Sequence, residues 1–412
     1  MAKAAPYVPM SREAQVARAS RAVILASFLS TLGFNFVFPL LPLYVRELSG
    51  PGAATAIWSG LALAATPLGG AIASPFWGRL ADRTGYRPML LRALISTSIL
   101  IGLMALPNAP WQLVILRALA GAFGAFQAVA MGALASWSKP EDLSKAISRL
   151  QMAQVFGAIV GPLAGGLVAA FFGIRFAPLA GACSLAVGTV LVARWLHEPT
   201  GRRVRIKGAA AKLKLSYLWL PILTLLAVQF TDSSFNPILP LLLAQSADTI
   251  GAVAGLSGAA ASMSATAAVI GAGLSGQLMK RGVRSRVLVA ALFMLGLFAV
   301  AAMVAPLPWG LVLFRVLSGG MVAAVTVAAY SIGGLSVESS QRGAAYGWLS
   351  SSGMAGNAAS PVTAGLLAAI DLRAVLVLDA ALCLLSAAGW GFSRRMAPAA
   401  PQASASKELR AG

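Results

Sequence analysis

Asp232 is an acidic residue at the centre of a long apolar segment, which runs from about Leu218 to Gln245. Between Lys214 and Asp248 this segment holds no other charged residue. A carboxylate at the middle of a membrane helix costs on the order of 3 kcal/mol to insert, so membrane proteins keep one where it pairs, faces water or carries a proton. We interpret Asp232 as a candidate proton or cation site. The alternative is a carboxylate that only ties neighbouring helices together.

Two arginines, Arg117 and Arg315, also fall inside apolar segments. A guanidinium stays charged at any working pH, so it does not carry a proton itself but can tune a nearby carboxylate. We predict Asp232 and Arg117 as the proton-coupling pair. Arg315 repeats Arg117 and is placed among the cavity-lining residues, although capping and snorkelling also explain it. Asp379, near the outer end of the last apolar segment, is interpreted as an interfacial polar group without a function.

The remaining reactive side chains exclude several classes of chemistry. Cys183 and Cys383 both lie in apolar segments, and His197 is the single histidine. They form neither a metal-ligand spacing nor a disulfide framework. The chain also lacks a glycine-rich phosphate loop that ends in Lys-Ser or Lys-Thr. We therefore predict no bound metal, no cofactor and no enzymatic activity.

The composition predicts a membrane protein that crosses the bilayer many times. The 412 residues are 58% hydrophobic and 11% charged, and the mean hydropathy is +0.80. A soluble chain carries about twice that charged fraction. Helices of roughly 20 apolar residues cross the hydrocarbon layer. Twelve such segments are predicted, at 22–46, 55–77, 89–106, 111–136, 148–173, 177–195, 218–245, 251–279, 287–305, 309–334, 344–370 and 373–393.

The basic residues set the orientation and account for the net charge of +20. With the N-terminus in the cytoplasm, 27 of the 32 Lys and Arg residues fall at cytoplasmic ends and loops. Only Arg46, Arg175 and Arg373 fall on the other side, and this asymmetry is typical of membrane proteins. The positive charge therefore indicates contact with anionic lipid rather than with nucleic acid. Both termini are predicted to be cytoplasmic, in a plasma membrane, with no cleaved signal peptide.

The chain repeats itself at a spacing of 198 residues. Six segments per repeat give both halves the same orientation, which is typical of transporters whose central site lies between two halves. We predict a tail at 1–20, six-helix bundles at 21–197 and 218–395, a basic linker at 198–217 and a disordered tail at 396–412. The matching pairs include Pro39 with Pro237, Gly78 with Gly276, Trp111 with Trp309, Arg117 with Arg315 and Gly121 with Gly319.

The segment from Gly78 to Pro88, which joins the second and third predicted spans, reads GRLADRTGYRP. It resembles the signature loop of the major facilitator superfamily. The resemblance covers about residues 20–395 and implies an all-α fold of twelve transmembrane helices in two pseudo-symmetric bundles. It also implies that the loop latches the two halves together on the cytoplasmic face. The residues that this assigns to the gating loop are Gly78, Asp82, Arg83, Gly85 and Arg87.

The fifth predicted span carries a glycine- and proline-rich element that is similar to one found in the drug:proton antiporters of that superfamily. Glycines four residues apart flatten one helix face for close packing, and a proline weakens the helical hydrogen-bond ladder. Ser148 replaces a further glycine of the family pattern. The element favours an exporter over a nutrient importer. Its residues are Gly157, Gly161, Pro162, Gly165 and Gly166.

The resemblance implies a monomeric, proton-coupled exporter of hydrophobic or amphipathic small molecules, of the multidrug efflux type. Two alternatives stay open. One is a dedicated exporter or importer of a metabolite or lipid, and the other is a membrane sensor or scaffold that has lost transport. Few polar groups line the predicted cavity, which disfavours sugars. The cavity residues that we predict are Asn35, Phe38, Gln127, Gln229, Asn236 and Arg315.

Overall fold

The computed structural model describes residues 12–137, 140–197, 218–244, 250–281, 290–297, 308–337 and 342–396, and within these ranges all regular secondary structure is helical. The predicted linker and the tail after Met396 lie outside the described residues. The helices are α1 (Arg12–Val37), α2 (Leu41–Ser49), α3 (Ala53–Thr84), α4 (Tyr86–Leu103), α5 (Pro110–Gly124), α6 (Phe126–Trp137), α7 (Pro140–Phe172), α8 (Phe176–Trp195), α9 (Trp219–Leu243), α10 (Ile250–Lys280), α11 (290–297), α12 (Pro308–Leu335), α13 (Arg342–Ile370) and α14 (Leu372–Met396).

These helices form twelve crossings, six in each half of the chain. The first crossing consists of α1, a short 3-10 turn and α2, and the fourth consists of α5 and α6. Nine crossings contain, within the described ranges, a stretch long and apolar enough to span a membrane. Helices α9, α13 and the partly described α11 make up the rest. The predicted all-α, twelve-helix class is therefore confirmed, and α1 begins inside the segment that was predicted as a tail.

Two crossings of the first bundle are interrupted where the sequence predicted continuous spans. Pro39 and Pro42 lie at the junction of α1 and α2, where the chain forms the 3-10 turn Phe38–Leu40. Proline removes a helical hydrogen bond and clashes with the preceding turn. Their counterparts Pro237 and Pro240 nevertheless lie inside the continuous helix α9. The second break is at Ala125, which adopts a left-handed conformation with φ of 50° between α5 and α6.

The internal repeat of the sequence is also a repeat of helix contacts. Gly121 of α5 packs against the backbone of Thr66 on α3, and Gly319 of α12 packs in the same way against Ser264 on α10. The two contacted residues, Thr66 and Ser264, are themselves 198 residues apart. A Cβ at Gly157 would lie 2.8 Å from the carbonyl oxygen of Phe28. Glycines at these crossings let two helix backbones touch, and the two bundles therefore share one packing plan.

The two bundles meet at one side of the molecule. We call it the far side, because it lies opposite the arginine-rich side on which most basic residues are predicted. A Cβ at Gly365 of α13 would lie 2.6 Å from the carbonyl oxygen of Ala56 on α3. Gly60 of α3 is in closer contact still, with the carbonyl oxygen of Pro361. Near the same side, Arg46 Nη1 donates to the carbonyl oxygen of Ala244 over 3.3 Å.

Helices α7 and α10 make the second close contact between the bundles, again at the far side. A Cβ at Gly166 would lie 2.8 Å from the carbonyl oxygen of Ala254, and Gly258 is in contact with the carbonyl oxygen of Pro162. Among the described glycines, every close approach between the bundles lies at this side. Gly276, toward the arginine-rich end of α10, has open space around it. The space between the bundles is therefore closed at the far side.

Candidate functional site

Asp232 lies at the midpoint of α9 and forms an ion pair with Arg315 of α12. Arg315 Nη1 donates to Asp232 Oδ1 over 2.7 Å, and it also approaches the Asp232 carbonyl oxygen at 3.4 Å. The Asp232 side chain keeps 32% of its surface exposed and the Arg315 side chain 11%. A charge-assisted hydrogen bond of this length is among the stronger polar contacts in proteins. The carboxylate is thus paired with a cation and still accessible.

The helix that holds this ion pair lies where the two bundles meet. Helix α9 contacts α2 and α3 of the first bundle as well as α12 and α13 of its own. Next to the ion pair, the rings of Phe235 and Phe314 pack 4.7 Å apart, so α9 and α12 are joined by an apolar and an ionic contact. A change in the charge of Asp232 therefore acts on a helix that both bundles touch.

Arg117 is not the cation beside Asp232. Its side chain is 1% exposed, and its Nε donates to the carbonyl oxygen of Ala62 over 3.2 Å. Its guanidinium lies 5.0 Å from the ring centre of Phe34 and 5.8 Å from that of Phe38. Nη2 has no hydrogen-bond partner among the described residues. The predicted pairing of Asp232 with Arg117 is corrected, since the structure gives this place to Arg315.

The internal repeat explains why Arg315, and not Arg117, pairs with Asp232. At the spacing of 198, Arg117 corresponds to Arg315 and Phe34 corresponds to Asp232. Each arginine reaches from the tenth or the fourth crossing to the same position of the first helix of its own bundle. In the first bundle this position is an aromatic ring, which binds a cation through its face. In the second bundle it is a carboxylate, so only that bundle holds a titratable pair there.

The glycine- and proline-rich element of α7 contacts helices of both bundles. Gly157, Gly161 and Gly165 face α1, where a Cβ at Gly161 would lie 2.6 Å from the Cβ of Asn35. Gly166 and the carbonyl of Pro162 face α10 of the other bundle. Close packing of α7 on both neighbours requires residues without side chains on these faces. The element therefore forms part of the far-side contact between the bundles.

The predicted gating loop is mostly helical, which corrects its assignment as a connection between spans. Helix α3 continues to Thr84, and Gly85 alone separates it from α4. Gly85 has a φ of 104°, which strongly favours glycine. Arg83 is exposed, and Arg87 Nη2 donates to the carbonyl oxygen of Ala193 over 2.8 Å at the end of α8. The surroundings of Gly78 and the side chain of Asp82 are not among the described parts of the structure, so the latch stays a prediction.

Two predicted cavity residues of the first bundle, Asn35 and Gln127, belong to a polar cluster on α1, α6 and α7. Gln127 Nε2 donates to Thr31 Oγ1 over 3.0 Å, and Gln127 Oε1 accepts a hydrogen bond from Gln154 Nε2 over 2.5 Å. Asn35 Nδ2 donates to the carbonyl oxygen of Thr31 over 2.8 Å. Thr31 and Gln154 belong to this cluster but were not predicted as cavity residues. Their spacing from Asn35 and Gly157, one helical turn each, was the available signal.

Arg315, which pairs with Asp232, is on α12, and the other two predicted cavity residues of the second bundle lie on α9. Gln229 and Asn236 are half-buried on α9, and the Gln229 side chain packs near Gly353 of α13. Ser233, one residue from Asp232, hydrogen bonds to Asn357 of the same helix α13. Phe38 is half-buried in the first bundle, near Arg117. The structure thus gathers the polar residues in two separate groups, one in each bundle.

Asp379 is fully buried, so its interpretation as an interfacial group is corrected. It lies on α14 with 0% of its surface exposed, and its Oδ2 is 2.5 Å from Ser234 Oγ on α9. Its Oδ1 has no hydrogen-bond partner among the described residues. The sequence position near a span end suggested an interface. In the structure, however, Asp379 is close to Asp232, which lies on the same helix as Ser234.

Comparison with known proteins identifies the family. The model of the Major Facilitator Superfamily matches residues 23–230 and 221–411. Among curated proteins, Multidrug resistance protein MdtG of Salmonella heidelberg (strain SL476) is 33% identical over 380 residues, which are 90% of this chain and 94% of that protein. The MdtG protein of Salmonella paratyphi C (strain RKS4594) matches at the same identity and coverage.

Solved structures show the same fold at low sequence identity. A bacterial homologue of the human lysosomal transporter Spinster, in an inward-facing and unoccupied conformation, superimposes with a TM-score of 0.73 at 16% identity, over 93% of this chain and 99% of that one. The human organic anion transporter MFSD10 gives 0.63 at 18% identity, over 91% and 99%. The chain is therefore a multi-pass membrane protein that belongs to the major facilitator superfamily.

Proposed function

We propose that the protein is a proton-coupled exporter of hydrophobic or amphipathic small molecules, which works by alternating access. The observation that carries the proposal is the Asp232–Arg315 ion pair, which is partly buried at the middle of a helix that both bundles contact. The name of the MdtG relatives, multidrug resistance protein, supports the direction and breadth of transport. Neither alternative left open by the sequence is favoured by a contact in the structure.

The ion pair supports coupling because a proton and Arg315 compete for the same carboxylate. When Asp232 is ionised it binds the guanidinium, as it does here. When Asp232 takes up a proton its charge is lost, the attraction to Arg315 falls, and α9 is freed from α12. A proton can drive a conformational change only through such a difference between the two states. One charge that crosses ~150 mV supplies about 3.4 kcal/mol, which sustains a concentration ratio of roughly two orders of magnitude.

The class of substrate follows from the half-buried residues near the two arginines. Phe34 and Phe38 lie near Arg117, and Gln229 and Asn236 lie on the helix of Asp232. Apolar sites with a few polar groups are typical of ligand pockets. Asp232 gives the site one accessible negative charge, while Arg315 compensates it. This combination favours amphipathic compounds that are neutral or singly charged.

We place the arginine-rich side in the cytoplasm, together with both termini, and the far side outside a plasma membrane. The distribution of basic residues supports this orientation, and anionic lipid is then the partner of the basic face. The conformation described above would be closed to the outside and open to the cytoplasm. We propose a monomer, in bundles at 21–197 and 218–395. A topology reporter fused after Lys207 that reads out on the outer side would contradict the orientation.

Asp82 provides a prediction for the opposite conformation. We propose that the segment from Gly78 to Arg87 latches the cytoplasmic side when the outer side opens. Asp82→Asn is expected to slow turnover by about tenfold, an effect of the usual size for one coupling contact, and to leave substrate binding unchanged. The measurement is dye efflux together with equilibrium dye binding at matched expression. Asp371→Asn, which removes an exposed carboxylate next to α14 and outside the proposed latch, is the control. Normal turnover in Asp82→Asn would exclude the latch.

The function is tested by export from living cells. A host that lacks its major efflux pumps, expressing this protein, is challenged with a panel of lipophilic dyes and antimicrobial compounds. We expect lower intracellular dye and higher tolerance for several unrelated amphipathic compounds, and loss of both when a protonophore collapses the proton gradient. Efflux of a single compound would indicate a dedicated exporter, and increased accumulation an importer. No change for any compound, with the protein present in the membrane, would contradict transport altogether.

A further inference from the structure

We propose that Asp379 is a second proton-binding site, which holds a proton in the conformation described here. Its carboxyl group is fully buried between α9 and α14, with no cation in hydrogen-bonding contact among the described residues. A buried carboxylate without a charge partner is costly, and such a group normally binds a proton instead. Asp232, in contrast, forms an ion pair with Arg315. Both carboxyl groups interact with α9 or α9's neighbours, one paired with a cation and the other without one.

The Ser234 hydroxyl lies within hydrogen-bonding distance of two oxygen atoms, and this bears on where the proton lies. The Ser234 hydroxyl donates to the carbonyl oxygen of Thr231 over 2.8 Å, as serines inside helices often do. A hydroxyl has one proton, so it cannot donate both to Thr231 and to Asp379 Oδ2, which lies 2.5 Å away. The contact is satisfied when Asp379 is the donor and Ser234 Oγ the acceptor. This arrangement also leaves Oδ1 as an uncharged carbonyl oxygen.

Two features around Asp379 favour the neutral acid, namely its complete burial and the negative charge of Asp232. On α9, Asp232 is the nearby charged group, and its negative charge opposes a second one. On its own helix α14, the thiol of Cys383 lies one turn away and contacts Thr231 Oγ1 at 3.6 Å. The Thr231 hydroxyl is near the carboxyl group as well, without reaching hydrogen-bonding geometry to Oδ1. Arg315 lies on the opposite face of α9 and is bound to Asp232.

Comparison of the two bundles shows that the fold does not require an acid at this crossing. At the spacing of 198, Asp379 corresponds to Gly181 and Thr231 corresponds to Gly33. In the first bundle these two glycines touch, and a Cβ on either would lie 2.5 Å from the carbonyl oxygen of the other. The same crossing is therefore built there from bare backbone. Only the bundle that contains Asp232 has a carboxyl group at this position.

The consequence for transport rests on the proposed function. Helix α9 takes part in two contacts that involve a carboxyl group. Its own Asp232 is bound to the cation of Arg315, and its Ser234 hydroxyl is bound to Asp379 of α14. We propose that the proton on Asp379 is released and rebound once per cycle, when α9 moves relative to α14 and breaks the contact with Ser234. The exporter then moves one proton through Asp232 and a second through Asp379. Chemically this second site is a proton site and has no room for a larger cation, since Asp379 is completely covered.

Infrared spectroscopy of the reconstituted protein tests whether the proton is present. We expect wild-type protein at neutral pH to show the C=O stretch of a protonated carboxyl group, which Asp379→Asn removes and Asp232→Asn keeps. Asp371→Asn, an exposed carboxylate at the start of the same helix, is the control and should change nothing. Ser234→Ala should shift the band because it removes the hydrogen-bond acceptor. A band that is identical in wild type and Asp379→Asn would overturn the proposal.

Proton counting tests whether the site takes part in the cycle. In proteoliposomes with a pH-sensitive dye inside, the protons moved per lipophilic dye molecule exported are expected to fall by about one in Asp379→Asn, while export continues. An unchanged ratio would overturn the transport role. The infrared result does not depend on transport. A wild-type protein that moves no dye but shows the band would therefore contradict the proposed function and leave the proton on Asp379 established.

Discussion

Substitution of Asp232 by Asn is expected to abolish uphill export, so that the dye ratio sustained by a proton gradient falls from about 100 to about 1. Asn keeps the size of the side chain and can still accept a hydrogen bond from Arg315, but it does not exchange a proton. Arg315 then never faces a competitor for the side chain at position 232. The step in which a proton weakens the contact between α9 and α12 is therefore lost, whether or not Asp379 still exchanges its proton. Downhill exchange of dye across the membrane should persist, since the route through the protein is intact.

The measurement is dye movement in proteoliposomes against a dye gradient, with and without an imposed pH difference, at matched protein content. Asp232→Glu should keep part of the activity, because it retains a titratable group at a slightly different distance from Arg315. Asp371→Asn serves as the matched control, since it removes an exposed carboxylate far from the ion pair. If Asp232→Asn still concentrates dye in response to a pH difference, the proton is carried elsewhere.

Substitution of Gly258 by Ala is expected to hold the far side open. The added methyl group would overlap the carbonyl oxygen of Pro162, across the contact between α10 and α7 that closes this side. Forcing extra atoms into a packed contact costs about 1–3 kcal/mol, which shifts the equilibrium between the two conformations roughly 5- to 150-fold. Turnover should fall by a comparable factor, because each cycle requires closure of the far side.

A matched control for this substitution lies three residues away on the same helix. A Cβ at Gly255 would meet nothing within 4 Å, so Gly255→Ala should leave the equilibrium almost unchanged. The measurement is the rate at which a membrane-impermeant maleimide labels Asn236→Cys from the outer side, after Cys183→Ser and Cys383→Ser remove the native thiols. The cysteine of Asn236→Cys should be labelled faster when it is combined with Gly258→Ala than when it is combined with Gly255→Ala. Equal labelling rates would show that the far-side contact does not control access.

The fold was predictable because membrane insertion and the repeat leave strong marks in the sequence. Apolar segments of spanning length and a spacing of 198 residues predicted the helices, their number and the two related bundles. Less could be predicted where single residues decide the geometry. Pro39 and Pro42 lie beside a break in the first crossing, whereas Pro237 and Pro240 do not break α9. The difference depends on the packing around each helix, which the prolines themselves do not specify.

The partner of Asp232 was predictable in principle but was assigned wrongly. Arg117 and Arg315 look alike in sequence, and the choice between them depends on which bundle holds the carboxylate. The repeat places Arg315 in the same bundle as Asp232 and places Arg117 in the other bundle, which favours Arg315 as the partner. Asp379 was less accessible. Its depth in the fold depends on how α14 packs against α9, and a position near the end of a span does not reveal that contact.

The central claim is that Asp232 carries the proton that is coupled to export, and proton release on substrate binding tests it most directly. Purified protein in weakly buffered detergent solution receives a lipophilic dye that the wild type exports, and a pH indicator records the protons set free. We predict that the wild type releases protons at a pH where Asp232 is partly protonated, and that Asp232→Asn binds the dye with release reduced by about one proton. Equal release from wild type and Asp232→Asn would contradict the account.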